Sequence, residues 1–199
     1  MRVLVIGANG TIGGAVSQAL RDRGHDVVGA SRTSSDHQVD VRDPASVRAL
    51  FEAVGEVDAL VCALGELHFG PVAEMTPEQF RIGLDSKLMG QVHATLIGQH
   101  HVRDGGSITL TAGILSDPIR FGADACTVNH AVEGFVIGAA VDLPRGLRIN
   151  AVSPGVVEES WELVKDAVPG YETVPASRVA LGYVRSIEGA RTGHIDQVW

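Results

Sequence analysis

A glycine-rich segment close to the N-terminus constrains the fold more than any other feature of the sequence. Residues 1–6 form a short apolar run rich in β-branched residues, which predicts a buried parallel strand. Gly7, Gly10 and Gly13 follow at three-residue spacing, and residues 11–23 have the apolar periodicity of a helix. Such a loop between a strand and a helix predicts a site for the pyrophosphate of a dinucleotide. A glycine-rich turn without a ligand is the alternative.

Strand-like and helix-like segments alternate along the whole chain. The predicted strands are residues 1–6, 27–30, 37–41, 57–63, 107–111, 147–152 and 193–198. The predicted helices are residues 11–23, one beginning at 43–44, and 76–102, 125–143, 159–167 and 177–186. Parallel strands joined by helices need right-handed crossovers, so we expect an α/β fold: a Rossmann-type, doubly wound parallel sheet in three layers, forming a single domain over residues 1–199. Its ligand would bind outside the carboxyl ends of the strands.

Composition restricts the classes of partner. The 199 residues carry a net charge of −8, which argues against nucleic acid or an anionic membrane surface as a partner. No run of 18 apolar residues is present, we expect no signal peptide, and Cys62 and Cys126 do not make a disulfide framework. We therefore expect a cytoplasmic protein that acts on a small molecule, with neither a nucleic-acid nor a membrane partner.

The segment after the second predicted strand indicates which dinucleotide binds. NAD-binding folds place an acid here to hold the ribose 2′-hydroxyl, and residues 30–34 contain none. The guanidinium of Arg32 suits a 2′-phosphate, and Ser31, Thr33 and Ser34 add hydroxyl donors. The pattern favours NADP(H), with a solvated surface arginine as the alternative.

Together with the glycine loop, four further segments resemble the short-chain dehydrogenase/reductase family over nearly the whole chain. They are Asp40-Val41, residues 62–65 (Cys-Ala-Leu-Gly), residues 70–76 and residues 148–155 (Arg-Ile-Asn-Ala-Val-Ser-Pro-Gly). The resemblance implies that Asp40 and Val41 flank the adenine and that the Pro-Gly turn at 154–155 lies against the nicotinamide. The residues expected to bind the cofactor are Gly7, Asn9, Gly10, Thr11, Ile12, Gly13, Ser31, Arg32, Thr33, Asp40, Val41, Ala63, Gly65, Lys87, Pro154, Gly155, Val156 and Val157.

The catalytic residues of the family are replaced in this chain. On the resemblance, its Asn falls on Lys87, its Ser on Ala112, and its Tyr and Lys on Ala125 and Asn129. The two tyrosines of the chain lie far from this helix in sequence, so the usual proton donor is absent.

A lysine stands at the family's Asn position and an asparagine at its Lys position, and both would face one cleft. We hypothesise that Lys87 reaches into the space of the family Lys, where desolvation would depress its pKa and allow proton transfer, while Asn129 holds a water or the ribose. Alternatively, Lys87 only binds the cofactor or a backbone carbonyl. Thr111 could bond a substrate or be an ordinary strand residue, and Ser116 lies near the mouth. The candidate catalytic residues are Lys87, Thr111 and Asn129.

Three functions fit this pattern. The first is an NADP(H)-dependent oxidoreductase that moves hydride to or from a small carbonyl or alcohol through a non-standard constellation, with residues 156–175 as a substrate lid. The others are a non-catalytic NADP(H)-binding protein (a sensor or assembly partner) and a non-redox enzyme on the same fold. The resemblance also implies a homodimer or homotetramer paired through the two long helices. Small residues at 131, 134 and 138–140 would permit close helix approach, or would pack on the chain's own sheet.

Overall fold

The computed structural model describes residues 1–33, 36–114 and 119–199. Its strands are β1 Arg2–Ile6, β2 Asp26–Ser31, β3 His37–Gln38, β4 Val57–Cys62, β5 Val102–Thr111, β6 Arg148–Pro154, β7 Val156–Val157, β8 Thr173–Val174 and β9 Ile195–Val198. Seven of them form one parallel sheet in the order β3-β2-β1-β4-β5-β6-β9. This arrangement confirms the predicted Rossmann-type sheet.

Helices cover both faces of the sheet. They are α1 Thr11–Asp22, α2 Pro44–Val54, α3 Pro77–Gly83, α4 Met89–Gly98, α5 Ala123–Asp142, α6 Trp161–Val164 and α7 Ala176–Glu188. On one face α1 and α7 bury Val16, Leu20 and Val179 against the sheet, and on the other α2, α4 and α5 bury residues such as Phe51 and Val136. The predicted three layers are therefore present.

Two predicted helix starts have the expected chemistry. The Asp43 side chain accepts a hydrogen bond from the Ala45 backbone N–H at the start of α2, where Pro44 occupies the first turn. Thr76 and Gln79 form a reciprocal capping box at the start of α3. Both signals satisfy backbone N–H groups that a helix leaves without partners.

The long helix expected over residues 76–102 is present as one uninterrupted helical segment, residues 77–98, but it is not α-helical throughout and ends four residues early. The chain runs from α3 into a π-helical turn, Leu84–Leu88, and then into α4, which ends at Gly98. A π turn contains one more residue than an α turn, and apolar periodicity does not reveal a single extra residue. The Gln91 side chain stabilises this turn by donating to the Lys87 carbonyl at 3.1 Å.

Several strand boundaries also differ from the predicted ones. β5 begins at Val102, five residues early, and its register with β4 shifts at the predicted glycine turn, where Gly105 has a φ of +73°. β6 continues to Pro154 because its last residues pair with β9. β9 begins at Ile195 because Gly193, with a φ of +69°, still belongs to the preceding turn.

The segment after β6 forms a small layer of its own. β7 and β8 pair in parallel, and a 3₁₀ turn at Glu158–Ser160 leads into α6, which is shorter than the predicted helix over residues 159–167. A small apolar cluster holds this layer together, with Val156, Ala167 and Val168 buried at its centre. Across the described ranges, no helix is long and apolar enough to cross a bilayer.

Two adjacent glycines of α1 give a matched test of the close packing between helix and strand. A Cβ on Gly13 would lie 2.0 Å from the Gly7 carbonyl oxygen, whereas a Cβ on Gly14 would come no closer than 3.7 Å to the Ala8 oxygen. Gly13→Ala should therefore lower the free energy of unfolding by about 1–3 kcal/mol or more. Gly14→Ala should leave it unchanged or raise it by up to about 1 kcal/mol, because alanine favours helix. Urea unfolding followed by circular dichroism measures both, and equal effects would contradict this packing.

Candidate active site

A cleft of about 510 Å³ opens at the carboxyl ends of the central strands. Residues that follow β1, β2, β4, β5 and β6 line it, so it lies where doubly wound sheets bind ligands. The strand order places Arg32, which follows β2, on one side of the cleft, and the Pro154–Gly155 turn at the end of β6 on the other side.

The glycine loop has the geometry of a phosphate cradle. Gly7 has a φ of +91°, and a Cβ there would lie 2.1 Å from the Ala63 carbonyl oxygen. Gly10 precedes α1, whose N-terminus has no side-chain cap and no acid in its first turn. The first N–H groups of a helix lack internal partners and carry a partial positive charge, so this end of α1 fits a pyrophosphate.

Two arginines stand at the β2 end of the cleft. The Arg32 side chain is 58% exposed and pairs with Glu66. Arg42 binds the Asp40 carboxylate through two nitrogens, at 2.9 and 2.7 Å, and this pairing lowers the pKa of Asp40 to about 2. Arg42 lines the cleft but was not predicted, because it follows the recognised Asp40-Val41 pair and has the composition of a surface residue. Ser34, an expected hydroxyl donor, lies outside the described residues.

Lys87 is buried inside the cleft, with 7% of the residue exposed. Its Nζ donates a hydrogen bond to the Ala112 carbonyl oxygen at 2.9 Å. Its stem packs on Gly65, which has a φ of +130° and where a Cβ would lie 2.5 Å from the lysine Cβ. Burial lowers the pKa of Lys87 to about 8, against the opposing influence of the Asp124 carboxylate.

That carboxylate is itself buried at the start of α5. Asp124 Oδ2 accepts a hydrogen bond from the His68 backbone N–H at 2.7 Å, while Oδ1 lies against Gly83. Burial raises the pKa of Asp124, and the backbone N–H groups of His68 and Gly83 and the nearby Lys87 oppose that rise. A second ionisable group therefore influences the charge of the cleft lysine.

Asn129 projects from α5 toward the same strand end and is 4% exposed. A Cβ on Gly113 would lie 2.7 Å from its Nδ2, and its Oδ1 has no partner within the described part of the chain. Lys87 and Asn129 thus converge on the consecutive residues Ala112 and Gly113. Their roles in catalysis stay predictions.

Thr111 is arranged differently from the prediction. Its hydroxyl donates to the Cys62 carbonyl oxygen at 2.6 Å, so the Tyr183 hydroxyl, also at 2.6 Å, is the donor to Thr111 Oγ1. Cys62 and Tyr183 are both fully buried. The Thr111 hydroxyl is therefore committed to the core, and this geometry gives no support to its predicted contact with a substrate.

Gln91 is a site residue that the sequence reasoning missed. It is fully buried, its Oε1 accepts from the Thr111 backbone N–H at 2.7 Å, and its Nε2 donates to the Thr111 carbonyl oxygen at 2.9 Å. The same Nε2 bonds the Lys87 carbonyl. The sequence did contain a signal for this role. A glutamine on the apolar face of a helix needs buried polar partners, so Gln91 could have been predicted to bond buried backbone groups.

Most of the predicted site residues come together in the cleft. Those that line it are Gly7, Gly10, Thr11, Ile12, Ser31, Arg32, Asp40, Val41, Ala63, Gly65, Lys87, Thr111, Asn129, Pro154, Gly155, Val156 and Val157. Gly13 instead packs on Gly7, Asn9 donates to the Ser31 hydroxyl at 3.2 Å, and Thr33 is exposed. Ser116 lies outside the described residues.

Comparison with known proteins agrees with this geometry. Residues 7–183 match a protein family described as enoyl-(acyl carrier protein) reductase. The structure of the protein lin1944 from Listeria innocua is 44% identical, with a TM-score of 0.97 and full coverage of both chains. A small-chain dehydrogenase crystallised with NADPH is 28% identical, with a TM-score of 0.88, covering 100% of this chain and 96% of that one. Versicolorin reductase 1 of Aspergillus parasiticus is 28% identical over 88% of this chain and 78% of its own length.

The fold, the glycine loop and the family match define a class of nicotinamide-dependent oxidoreductases built on a Rossmann-type sheet. The chain belongs to the short-chain dehydrogenase/reductase family. Neither of its tyrosines lines the cleft in the described part of the chain.

Burial of Lys87 has a consequence for stability. Its pKa falls from 10.5 in the unfolded chain to about 8 in the folded one, so between these values the unfolded chain binds more protons. Stability should therefore rise with pH across this window, by up to about 3 kcal/mol. Lys87→Met removes the titrating group. The difference in free energy of unfolding between wild type and Lys87→Met, measured in urea from pH 7 to 10.5, should change by that amount, and a constant difference would contradict a depressed pKa.

Proposed function

We propose that this protein is an NADP(H)-dependent oxidoreductase that transfers hydride between the cofactor and a small carbonyl or alcohol, with Lys87 in place of the family's tyrosine as the proton-transferring group. The observation that carries the proposal is the buried amine of Lys87 at the end of β5. It lies within the cleft and has a pKa of about 8, which is suited to proton exchange near neutral pH.

The choice of NADP(H) over NAD(H) rests on charge at the β2 end. Arg32 and Arg42 line the cleft there, and Arg32 is exposed enough to turn from Glu66 to a 2′-phosphate. No acid occupies the position that would hold a ribose 2′-hydroxyl. The similar small-chain dehydrogenase that was crystallised with NADPH also supports this preference.

Each residue of the cleft has a part in the proposed reduction. The bound cofactor supplies hydride to the carbonyl carbon of the substrate. The ammonium of Lys87 donates its proton to the carbonyl oxygen, becomes the neutral amine and regains a proton from solvent. The Ala112 carbonyl holds Nζ in place, and Asp124 favours the protonated form. Asn129, with an unpartnered Oδ1 in the described chain, would bind a water or the ribose.

The replacements in the family's constellation favour one other candidate, a non-catalytic NADP(H)-binding protein. Ala112 and Ala125 stand where the family has its Ser and Tyr, and both line the cleft. Tight NADPH binding without NADPH oxidation on any carbonyl of a broad panel would support this candidate over the oxidoreductase.

A homodimer is proposed as the assembly. On α5, Ile137 is 59% and Val141 is 84% exposed, and a Cβ built on Gly134 or Gly138 would have no described atom within 4 Å apart from its chain neighbours and the backbone of its own helix. This open, apolar face can accept a second helix at close range. Sedimentation velocity tests the proposal, and a monomer at micromolar concentration would reject it.

Cofactor choice is tested by titrating NADPH and NADH into wild type, Arg32→Ala and Arg42→Ala. Loss of a charged hydrogen bond should raise the Kd for NADPH about tenfold or more in Arg32→Ala and leave the Kd for NADH within about twofold. Arg48→Ala, on α2 and outside the cleft, is the control. Equal or tighter binding of NADH by wild type would contradict the NADP(H) preference, and no binding of either cofactor would reject the oxidoreductase.

Proton transfer is tested by substitution of Lys87 and by pH. With any carbonyl that wild type reduces, Lys87→Met should lower kcat by about 10²–10⁴-fold while the Kd for NADPH stays nearly unchanged. Reduction needs the ammonium, so wild-type kcat should fall as pH rises through about 8. Lys87→Arg keeps the charge but cannot release a proton. This variant should therefore have a low kcat and should show no fall of kcat near pH 8. A Lys87→Met enzyme with wild-type rate and pH profile would restrict Lys87 to a structural role.

A further inference from the structure

Three segments form one connected wall over the end of the cleft that contains Lys87. They are residues 64–70 after β4, residues 119–122 before α5 and residues 156–174 after β6. The Gly70 N–H donates to the Phe121 carbonyl at 3.0 Å, and the Arg120 N–H donates to the Ala167 carbonyl at 3.2 Å. These backbone hydrogen bonds join the three segments into a structure that we call the roof.

Apart from Glu66 and Ser160, the side chains that the roof presents to the cleft are apolar. Among them are Leu67, Phe69, Ile119, Val164, Ala167 and Val168. Ala167 and Val168 are also buried in the small cluster of the β7–β8 layer, so this surface is backed by packing and is not a loose loop. Lys87, Asn129 and Ser160 are among the polar residues that line the same cleft.

Apart from Glu66, the charged side chains of the roof do not line the cleft. Both carboxylate oxygens of Glu159 accept from the Ala176 N–H at the start of α7, and Glu162 pairs with Lys165 on the exposed side of α6. The Arg120 guanidinium lies 5.6 Å from the centre of the Phe121 ring. The charge of the roof segments therefore stays out of the cleft, with the exception of Glu66.

The remaining charges of the cleft lie at its β2 end. Among the described residues, the charged groups that line it are Lys87 and the two ion pairs Arg32–Glu66 and Arg42–Asp40. Lys87 is thus the one charge among the described lining residues that lies outside those two ion pairs. A carboxylate or phosphate on the part of the substrate that packs against the apolar roof, away from the Lys87 amine, would lose its hydration without a counter-charge, which is costly.

We propose that the substrate is an uncharged carbonyl compound with an apolar body, an alkyl or aryl ketone or aldehyde, bound beneath the roof with its carbonyl oxygen toward Lys87. This inference rests on the proposed oxidoreductase function and specifies its substrate class. A polyhydroxylated substrate such as a ketose would place hydroxyls against Val164, Ile119 and Phe69, where each unpaired group costs binding free energy.

Calorimetry on the protein with and without NADP⁺ tests the substrate class without requiring turnover. The probes are propiophenone, the ketose erythrulose and the carboxylate pyruvate. Propiophenone should bind at least about tenfold more tightly than either of the others.

Two neighbouring residues of α6 provide matched variants. Val164 faces the cleft, whereas Leu163 is 86% exposed. Val164→Asp should weaken propiophenone binding by about tenfold or more, and Leu163→Asp should not change it. Val164→Thr, which has nearly the same shape, gives a milder loss in the same direction and serves if Val164→Asp does not fold.

The outcomes separate the two proposals. Binding of propiophenone that Val164→Asp weakens, without NADPH oxidation on propiophenone or on any carbonyl of the broad panel, would keep the apolar site and reject the oxidoreductase. Preferential binding and reduction of erythrulose or pyruvate would keep the oxidoreductase and overturn the substrate class. Failure of all three probes to bind, or equal effects of the Val164 and Leu163 variants, would also overturn it.

Discussion

The arrangement of the site depends on the backbone N–H and C=O groups at the buried end of β5, which have no neighbouring strand on the β4 side. The last residue pair of the β4–β5 ladder is Val61 with Thr109, and β4 ends at Cys62, which leaves the cleft open on that side. β5 continues beyond this last pair, so the backbone N–H and C=O groups at its end need hydrogen-bond partners other than β4. Gln91 pairs both backbone groups of Thr111, and Lys87 donates to the Ala112 carbonyl. The side chains of Gln91 and Lys87 thus take the place of a neighbouring strand at the point where the cleft is open.

Lys87 therefore has both a structural role, as the partner of a backbone carbonyl, and the chemical role proposed for its amine. The carbonyl that fixes the Lys87 amine also holds it in a buried position where its charged form is less stable, and Asp124 compensates only in part. Buried polar groups of this kind are costly unless they are paired. The Oδ1 of Asn129, which lines the cleft and has no partner in the described part of the chain, is therefore the place where a bound molecule or water would complete the pairing.

Much of the fold was predictable because local signals and packing agree. The glycine loop, the Asp43 and Thr76 caps and the apolar strands all depend on neighbours in sequence, and the predicted sheet is confirmed. The π turn, the Gln91 bonds and the bonding of the Thr111 hydroxyl to Cys62 and Tyr183 depend on contacts between distant residues, which no local pattern encodes. That residues at the strand ends line one cleft followed from the strand order, whereas the roof over it required tertiary contacts.

The π-helical turn at Leu84–Leu88 also sets the direction in which Lys87 points. Successive residues of a helix point about 100° apart, so one residue more or less in this turn rotates the preceding side chains relative to α4 by about that angle. The position of the cleft amine therefore depends on the number of residues in this turn as well as on the identity of residue 87.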